Sequence, residues 1–272
     1  MGLGNEHDLE TLRAVAVQVA GEAAGLAASA REEAVSRTVD TKSSETDVVT
    51  AADRAVERLV RERLAELRPS ESVLGEEEGG DGALDGLRWV VDPIDGTVNY
   101  LYGHPFYAVS LAAQVDGRSV AGAVVEPVSG RVWSAAEGHG ATLDGVTLSV
   151  SSATRLDLSL IGTGFAYRAE RRRKQAEVVA RLLGEVRDIR RAGAGSLDLC
   201  AVAAGWLDGY YESGLARWDW AAGALIAAEA GAVVRLPDAA EDGLGQDATL
   251  CVTPGIAEAL RGRLVEFGAG EV

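Results

Sequence analysis

Two acidic side chains follow a short apolar run at residues 89–91. The proline after Asp92 keeps that residue extended, and Gly96 lets the backbone turn sharply and approach a ligand closely. Asp92 and Asp95 can therefore face one cavity at the carboxyl end of a strand, where ligands gather in open α/β sheets. A helix starting at about Thr97 would also direct free N–H groups towards a phosphate.

Two further acids stand where they could join this cavity. Glu76 comes directly after an apolar strand segment, and Asp219 opens a predicted helix. Four gathered carboxylates repel one another and have raised pKa values, and divalent cations remove that repulsion. Mg²⁺ prefers such all-oxygen ligation. Taken singly, each motif has a simpler interpretation: a turn, a solvated acidic loop or a helix N-cap.

Composition restricts the function classes. The 272 residues include 42 acidic and 26 basic ones, which gives a formal charge of −16, and 47% are hydrophobic. Such a chain folds as a globule and repels nucleic acid backbones and anionic membranes, so neither is an expected partner. Apolar runs of about 20 residues and a secretory signal are absent, which predicts a cytoplasmic protein. Cys200 and Cys251 are predicted core thiols, and no zinc site is expected.

Periodicity predicts the elements that position these acids. Helical spacing favours helices at 9–37 and 51–67, followed by strands at 72–74 and 87–91. Turn residues then punctuate an antiparallel meander, and helices and strands alternate after it, which indicates helix layers covering a sheet. The further predicted strands are 107–115, 120–125, 132–135, 143–150, 158–162, 187–191, 209–212, 233–236 and 249–253. The further predicted helices are 168–185, 196–207, 218–230 and 256–267.

Three segments together resemble the signature motifs of the inositol monophosphatase family. They are Gly-Glu-Glu at 75–77, Asp-Pro-Ile-Asp-Gly-Thr-Val-Asn-Tyr at 92–100 and Trp-Asp-Trp-Ala-Ala-Gly at 218–223. The similarity extends to residues 47–53, 209–212 and 229–231. It implies an α/β fold with a five-layer αβαβα sandwich, as in fructose-1,6-bisphosphatase, spanning residues 1–272. We expect two packed lobes, about 1–150 and 151–272, and a homodimer.

The resemblance also implies a catalytic centre with two or three Mg²⁺ ions. Glu76, Asp92 and the Ile94 carbonyl would hold the first, and a third, weaker ion would lie near Glu76. Asp92, Asp95 and Asp219 would hold the second. The resemblance further implies that Asp53 pairs with the Thr97 hydroxyl to orient and deprotonate a metal-activated water, with Glu76 also in a catalytic role. That water attacks phosphorus directly, so no phosphoenzyme is formed.

A small polyol phosphate is the implied substrate, and the family's specificity places inositol monophosphate first. Its implied contacts are Asp95, Gly96, Thr97, Gly193, Ala194, Gly195, Glu212 and Asp219. Ala194 replaces a commonly hydroxylated family residue, and a serine falls two places later. Histidinol phosphate and fructose 1,6-bisphosphate are alternative substrates, and a role in RNA or transcription assemblies is the alternative from another class. Lithium sensitivity is expected from the family.

Overall fold

The computed structural model describes residues 8–37, 45–80, 86–239 and 242–272. Two long helices come first, α1 (Leu9–Arg37) and α2 (Glu45–Leu67). The predicted bounds of α1 are confirmed, whereas α2 begins at Glu45 rather than at residue 51. Val48, Val49 and Thr50 favoured a later start, but β-branched residues lower helix propensity by only a few tenths of a kcal/mol.

The first sheet has its strands in chain order. They are β1 (Ser72–Gly75), β2 (Leu87–Asp95), β3 (Ala108–Val115), β4 (Arg118–Val125), β5 (Val132–Ala136), β6 (Ala141–Leu143) and β7 (Val146–Thr147). β1 and β2 are parallel, and the remaining neighbours are antiparallel, which confirms the meander. The single strand predicted at 143–150 is wrong. Asp144 and Gly145, with φ of 50° and 80°, form a tight hairpin turn between β6 and β7.

The second half of the chain contains the second sheet, and five shorter helices complete the fold. The strands are β8 (Leu160–Thr163), β9 (Asp188–Arg190), β10 (Gly209–Ser213), β11 (Val233–Arg235) and β12 (Ala248–Val252), in the order β11-β12-β10-β8-β9. The helices, given for the described residues, are α3 (Thr97–Tyr102), α4 (Ala169–Leu182), α5 (Gly195–Ala203), α6 (Arg217–Glu229) and α7 (Ala257–Glu266). These elements confirm the predicted ones to within a few residues.

Buried apolar side chains of the described residues form three clusters that define the layers. The first joins α1 and α2 to one face of the first sheet, and the second places α5 and α6 between the two sheets. The third joins the outer face of the second sheet to α4 and α7. This order confirms the five-layer αβαβα sandwich, whereas the division into two lobes stays a prediction. No helix in the described ranges is long and apolar enough to span a bilayer.

Candidate active site

The end of β2 brings Asp92 and Asp95 to the same side. Residues three apart on a regular strand point to opposite faces. The register between β2 and β3 shifts between Asp92 and Asp95, and such an irregularity redirects side chains. The Asp92 carboxylate accepts a hydrogen bond from the Ile94 N–H at 3.1 Å. The chain then turns at Gly96, whose φ is 91°, and enters α3 at Thr97.

Asp219 completes a cluster of three carboxylates. One oxygen each from Asp92, Asp95 and Asp219 lies within 4.8 Å of the others, as a shared cation requires. Asp219 belongs to the first turn of α6 and accepts a hydrogen bond from the Ala216 N–H at 2.6 Å. The N-cap residue of α6 is Ala216 rather than Asp219, and the candidate metal ligand Asp219 is the side chain that accepts its N–H.

Glu76 reaches this cluster from the loop after β1. β1 is parallel to β2 with Gly75 beside Val91, so the residues that follow them, Glu76 and Asp92, lie next to each other. The charge of Glu76 also raises the pKa of Asp92 and of Asp219. Glu76 is accessible to solvent, yet the surrounding protein atoms and acidic neighbours raise its pKa to about 7. The structure thus brings together all four acids that the sequence singled out.

Burial and mutual repulsion make these carboxylates reluctant to ionise. Burial first, and then the neighbouring acids, raise the pKa of Asp92 well above its usual value and that of Asp219 to about 8. Burial raises the pKa of Asp95 to about 6 in spite of its hydrogen bonds. Among the described residues, no Arg or Lys forms an ion pair with these three aspartates. Buried acids without a basic partner fit a hard divalent cation.

Asp95 is held by the start of α5. It accepts hydrogen bonds from the Gly195 N–H at 3.2 Å and the Ser196 N–H at 2.8 Å, and also from the Ser196 hydroxyl. The predicted substrate loop at residues 193–195 therefore lies beside the acids, with Ala194 buried next to Gly96. In the sequence, Ser196 stands two places after the position at which the family commonly has a hydroxylated residue. In the structure its hydroxyl contacts Asp95, a candidate metal ligand.

The predicted pairing of Asp53 with Thr97 stays a prediction. The Thr97 hydroxyl donates to the Ile94 carbonyl at 3.1 Å, because that oxygen lies one turn earlier in the chain. A carbonyl oxygen has two lone pairs, so Ile94 can still accept a cation. Asp53 is buried on α2, where burial and then Glu77 and Glu76 raise its pKa to about 8. Asp53 also lies close enough to the acidic cluster for its charge to raise the pKa of Asp92.

Glu212 approaches the same site from β10. The Tyr210 hydroxyl donates a hydrogen bond to it, and a Cβ at Gly164 would lie 1.8 Å from its carboxylate. Glu212 and Asp95 are close enough for each charge to act on the other group, and buried Asp198 lies nearby. Sequence reasoning missed Tyr210, Gly164 and Asp198, since nothing in their local spacing pairs them with Glu212.

Comparison with known proteins decides the family. The model of the inositol monophosphatase family matches residues 8–267. The chain belongs to the inositol monophosphatase family. Its members are phosphoric monoester hydrolases, and the chain is an enzyme of that class.

Relatives cover nearly the whole chain. An inositol-1-monophosphatase of Mycobacterium leprae is 51% identical over 279 residues, 96% of each protein. The solved structure of Mycobacterium tuberculosis SuhB is 45% identical, with a TM-score of 0.85 over 97% of this chain and 100% of that one. A Pseudomonas aeruginosa protein named Nus factor SuhB is 42% identical over 194 residues, 69% of this chain and 72% of its own length.

Proposed function

We propose that this enzyme hydrolyses a small polyol phosphate, with inositol monophosphate as the leading substrate, in a Mg²⁺-dependent reaction. The observation that carries the proposal is the cluster of Asp92, Asp95 and Asp219, whose oxygens lie within 4.8 Å and have no basic partner among the described residues. The names of the M. leprae relative and of the family agree with this substrate class.

The proposed ligand sets divide the cluster between two ions. Glu76, Asp92 and the Ile94 carbonyl would hold one, and Asp92, Asp95 and Asp219 the other; a third, weaker ion would bind near Glu76. Mg²⁺ held there supplies a water nucleophile at neutral pH and neutralises charge on the leaving oxygen. Asp92 serves both sets, so its position fixes the spacing of the site. Direct in-line attack then requires no covalent bond to the enzyme.

The remaining residues would bind the substrate. Gly96, Thr97 and the loop of Gly193, Ala194 and Gly195 would contact the phosphoryl group, and Glu212 would accept hydrogen bonds from the polyol hydroxyls. We also propose that Asp53, which is buried near Glu76 and Glu77, would act with Thr97 to orient and deprotonate the attacking water. In this structure the Thr97 hydroxyl donates to the Ile94 carbonyl.

Replacing Asp92 with Asn tests the catalytic centre. Because Asp92 would serve both ions, we expect phosphatase activity to fall on the order of a hundredfold or more. Phosphate release from inositol 1-phosphate at saturating Mg²⁺ is the measurement. Asp157→Asn is the control, since Asp157 is exposed and pairs only with Arg155 among the described residues. Full activity in Asp92→Asn would show that the ligand set is wrong.

A substrate panel separates the alternatives within the enzyme class. Histidinol phosphate and fructose 1,6-bisphosphate require the same chemistry on other scaffolds, so kcat/KM for each is measured beside inositol 1-phosphate. Glu212 disfavours fructose 1,6-bisphosphate, because its carboxylate repels a second phosphate, and it can accept hydrogen bonds from polyol hydroxyls. The panel itself separates inositol 1-phosphate from histidinol phosphate. Turnover of histidinol phosphate alone would contradict the proposed substrate.

The alternative from another class is a binding role in transcription assemblies, which the 42% identity to a Nus factor SuhB supports. It predicts that Asp92→Asn retains the biological effect although hydrolysis is lost. A complementation assay of a deletion strain with this variant distinguishes the two roles. The formal charge of −16 favours the enzymatic role, because it opposes contact with RNA.

Three further properties belong to the proposal. We propose a homodimer, a cytoplasmic location and inhibition by lithium, each on the resemblance to the family. Sedimentation of the purified protein tests the first, localisation of a tagged chain the second, and a lithium titration of phosphate release the third.

A further inference from the structure

The loop that carries Glu76 is closed tightly on itself. It leaves β1 at Gly75 and returns at Gly79, where the Gly75 N–H donates to the Gly79 carbonyl at 3.0 Å. Glu76 is the first residue of this loop and lies beside Asp92, because Gly75 and Val91 are neighbours in the parallel pair of β1 and β2. The position of the Glu76 carboxylate therefore depends on what holds the backbone of residues 75–79.

Glu57 of α2 holds the middle of the loop. Its side chain is fully buried and accepts hydrogen bonds from the N–H groups of Glu77 at 2.8 Å and Glu78 at 3.1 Å. A Cβ at Gly75 would lie only 2.1 Å from the same carboxylate. The first residue of the Gly-Glu-Glu motif thus has a steric reason to be glycine, which no local turn requirement supplies.

Arg61, one helical turn further along α2, holds both ends of the loop. Its guanidinium donates to Glu57 at 2.7 Å and 2.9 Å, to the Val73 carbonyl at 3.2 Å and to the Gly79 carbonyl at 2.6 Å. It also compensates the charge of Glu57, which would otherwise be buried beside Glu76 without a partner. The hydrogen bonds that Glu57 and Arg61 make with the loop go to its backbone atoms, and Arg61 also forms an ion pair with the Glu78 side chain.

We propose that Glu57 and Arg61 are positioning residues that fix Glu76 against Asp92 and thereby set the affinity of the site for Mg²⁺. The inference rests on the proposed function only in taking Glu76 and Asp92 as Mg²⁺ ligands. Charge-assisted hydrogen bonds to the backbone restrict the loop before the ion binds, so less ordering is required on binding. Outer partners of metal ligands typically change metal affinity by about 10-fold to 100-fold.

Glu57→Gln is the first test, because the amide keeps the shape of the side chain but removes its charge. We expect Mg²⁺ affinity, measured by titrating MgCl₂ into the full-length protein in a calorimeter, to fall roughly tenfold. Amide hydrogen exchange of residues 75–79 without metal should become faster. Activity should recover at high Mg²⁺ concentration, unlike that of Asp92→Asn, because the ligands themselves are intact.

Gly75→Ala is an independent second test, since it leaves both charges in place and crowds the Glu57 carboxylate with a methyl group. The same loss of Mg²⁺ affinity is expected. Glu66→Gln is the matched control: Glu66 is exposed on the same helix and pairs with Arg63, away from the loop. It should leave Mg²⁺ affinity and loop exchange unchanged.

Unchanged Mg²⁺ affinity in Glu57→Gln and Gly75→Ala would overturn the proposal. Failure of both variants to fold would also overturn it, because the pair would then serve stability alone. Failure of the proposed function has a different signature: the wild-type protein would bind Mg²⁺ and respond to these substitutions, yet release no phosphate from inositol 1-phosphate.

Discussion

Carboxylates of the same site are held by different kinds of partner. Asp95 receives backbone N–H groups and a hydroxyl at the start of α5, which keep it available as an anion beside a cation. Glu212 receives a phenolic hydroxyl from Tyr210, and the absence of a side chain at Gly164 makes room for it. Tyr210 therefore helps to fix the direction of the Glu212 carboxylate, without itself belonging to the acidic cluster.

Tyr210→Phe should selectively impair recognition of polyol substrates. A hydrogen bond to a charged group is worth about 1.5–3 kcal/mol, so kcat/KM for inositol 1-phosphate should fall about tenfold, mainly through KM. Hydrolysis of phenyl phosphate, which carries no hydroxyl for Glu212 to bind, should hardly change. Steady-state kinetics on the two substrates is the measurement.

Tyr211→Phe is the matched control for this prediction. The neighbouring side chain belongs to the outer cluster, and its hydroxyl contacts Ser213 and the Ala269 carbonyl. We expect similar kinetics to wild type on both substrates. An equal loss on phenyl phosphate in Tyr210→Phe would assign Tyr210 to general packing rather than to orienting Glu212.

At the scale of elements, the turn between β2 and α3 joins the two halves of the site. Asn99 of α3 donates to the Phe106 carbonyl at 2.7 Å and to the Ala192 carbonyl at 2.9 Å. The turn and the substrate loop are thus bound to each other. Gly96 lies at their closest approach, where a Cβ would be 3.2 Å from that of Ala194 and 3.1 Å from the Phe106 carbonyl oxygen.

Gly96→Ala should destabilise the protein more than a glycine substitution in an open turn. An alanine at φ of 91° is strained by about 1–2 kcal/mol, and crowding against Ala194 adds about 1–3 kcal/mol. Gly130→Ala is the control, because Gly130 has φ of 74° and a Cβ there would meet no atom within 4 Å. Urea unfolding in EDTA gives the free energy of unfolding of each variant. An equal decrease in Gly96→Ala and Gly130→Ala would contradict the predicted crowding.

At the scale of the whole molecule, the fold brings together acidic side chains whose ionisation lowers the free energy of unfolding. The surrounding protein atoms and the neighbouring acids raise the pKa of Asp53 and Asp219 to about 8 and that of Glu76 to about 7. In an unfolded chain these groups have pKa values of about 4. Protonation therefore favours the folded, metal-free protein: this contribution is complete below about pH 4 and is lost as the pH rises through 7 to 8.

The stabilisation by Mg²⁺ should consequently increase with pH. The ion binds deprotonated carboxylates and the folded state alone, so saturating Mg²⁺ should raise the Tm by roughly 5 °C at pH 8 and by less at pH 6. The measurement is the Tm in MgCl₂ minus the Tm in EDTA at each pH. Ionisable groups away from the ion site affect both Tm values equally, so their contribution cancels in this difference. In Asp92→Asn the difference should be much smaller; a difference independent of pH would contradict the assignment of these acids to the ion site.

Most elements and the candidate ligands were predictable because their signals are local. Helical periodicity predicted α1, and the acids that follow β1 and β2 marked the site before its geometry was known. Errors occurred where local preference was weak: β-branched residues obscured the start of α2, and an Asp-Gly turn divided one predicted strand into β6 and β7. The pairing of Asp53 on α2 with Thr97 on α3 stays a prediction, and the Thr97 hydroxyl donates to the Ile94 carbonyl in this structure.

Local patterns were enough to predict the order of the elements, the acidic residues and their places at strand and helix ends. The groups that hold those acids become visible only in the folded chain: Ser196 for Asp95, Tyr210 for Glu212, and Glu57 for the Glu76 loop. The physical reason is that periodicity and turn preferences act within a few residues. Contacts such as that between Ser196 and Asp95, which are 101 residues apart, arise only when the two sheets pack around α5 and α6.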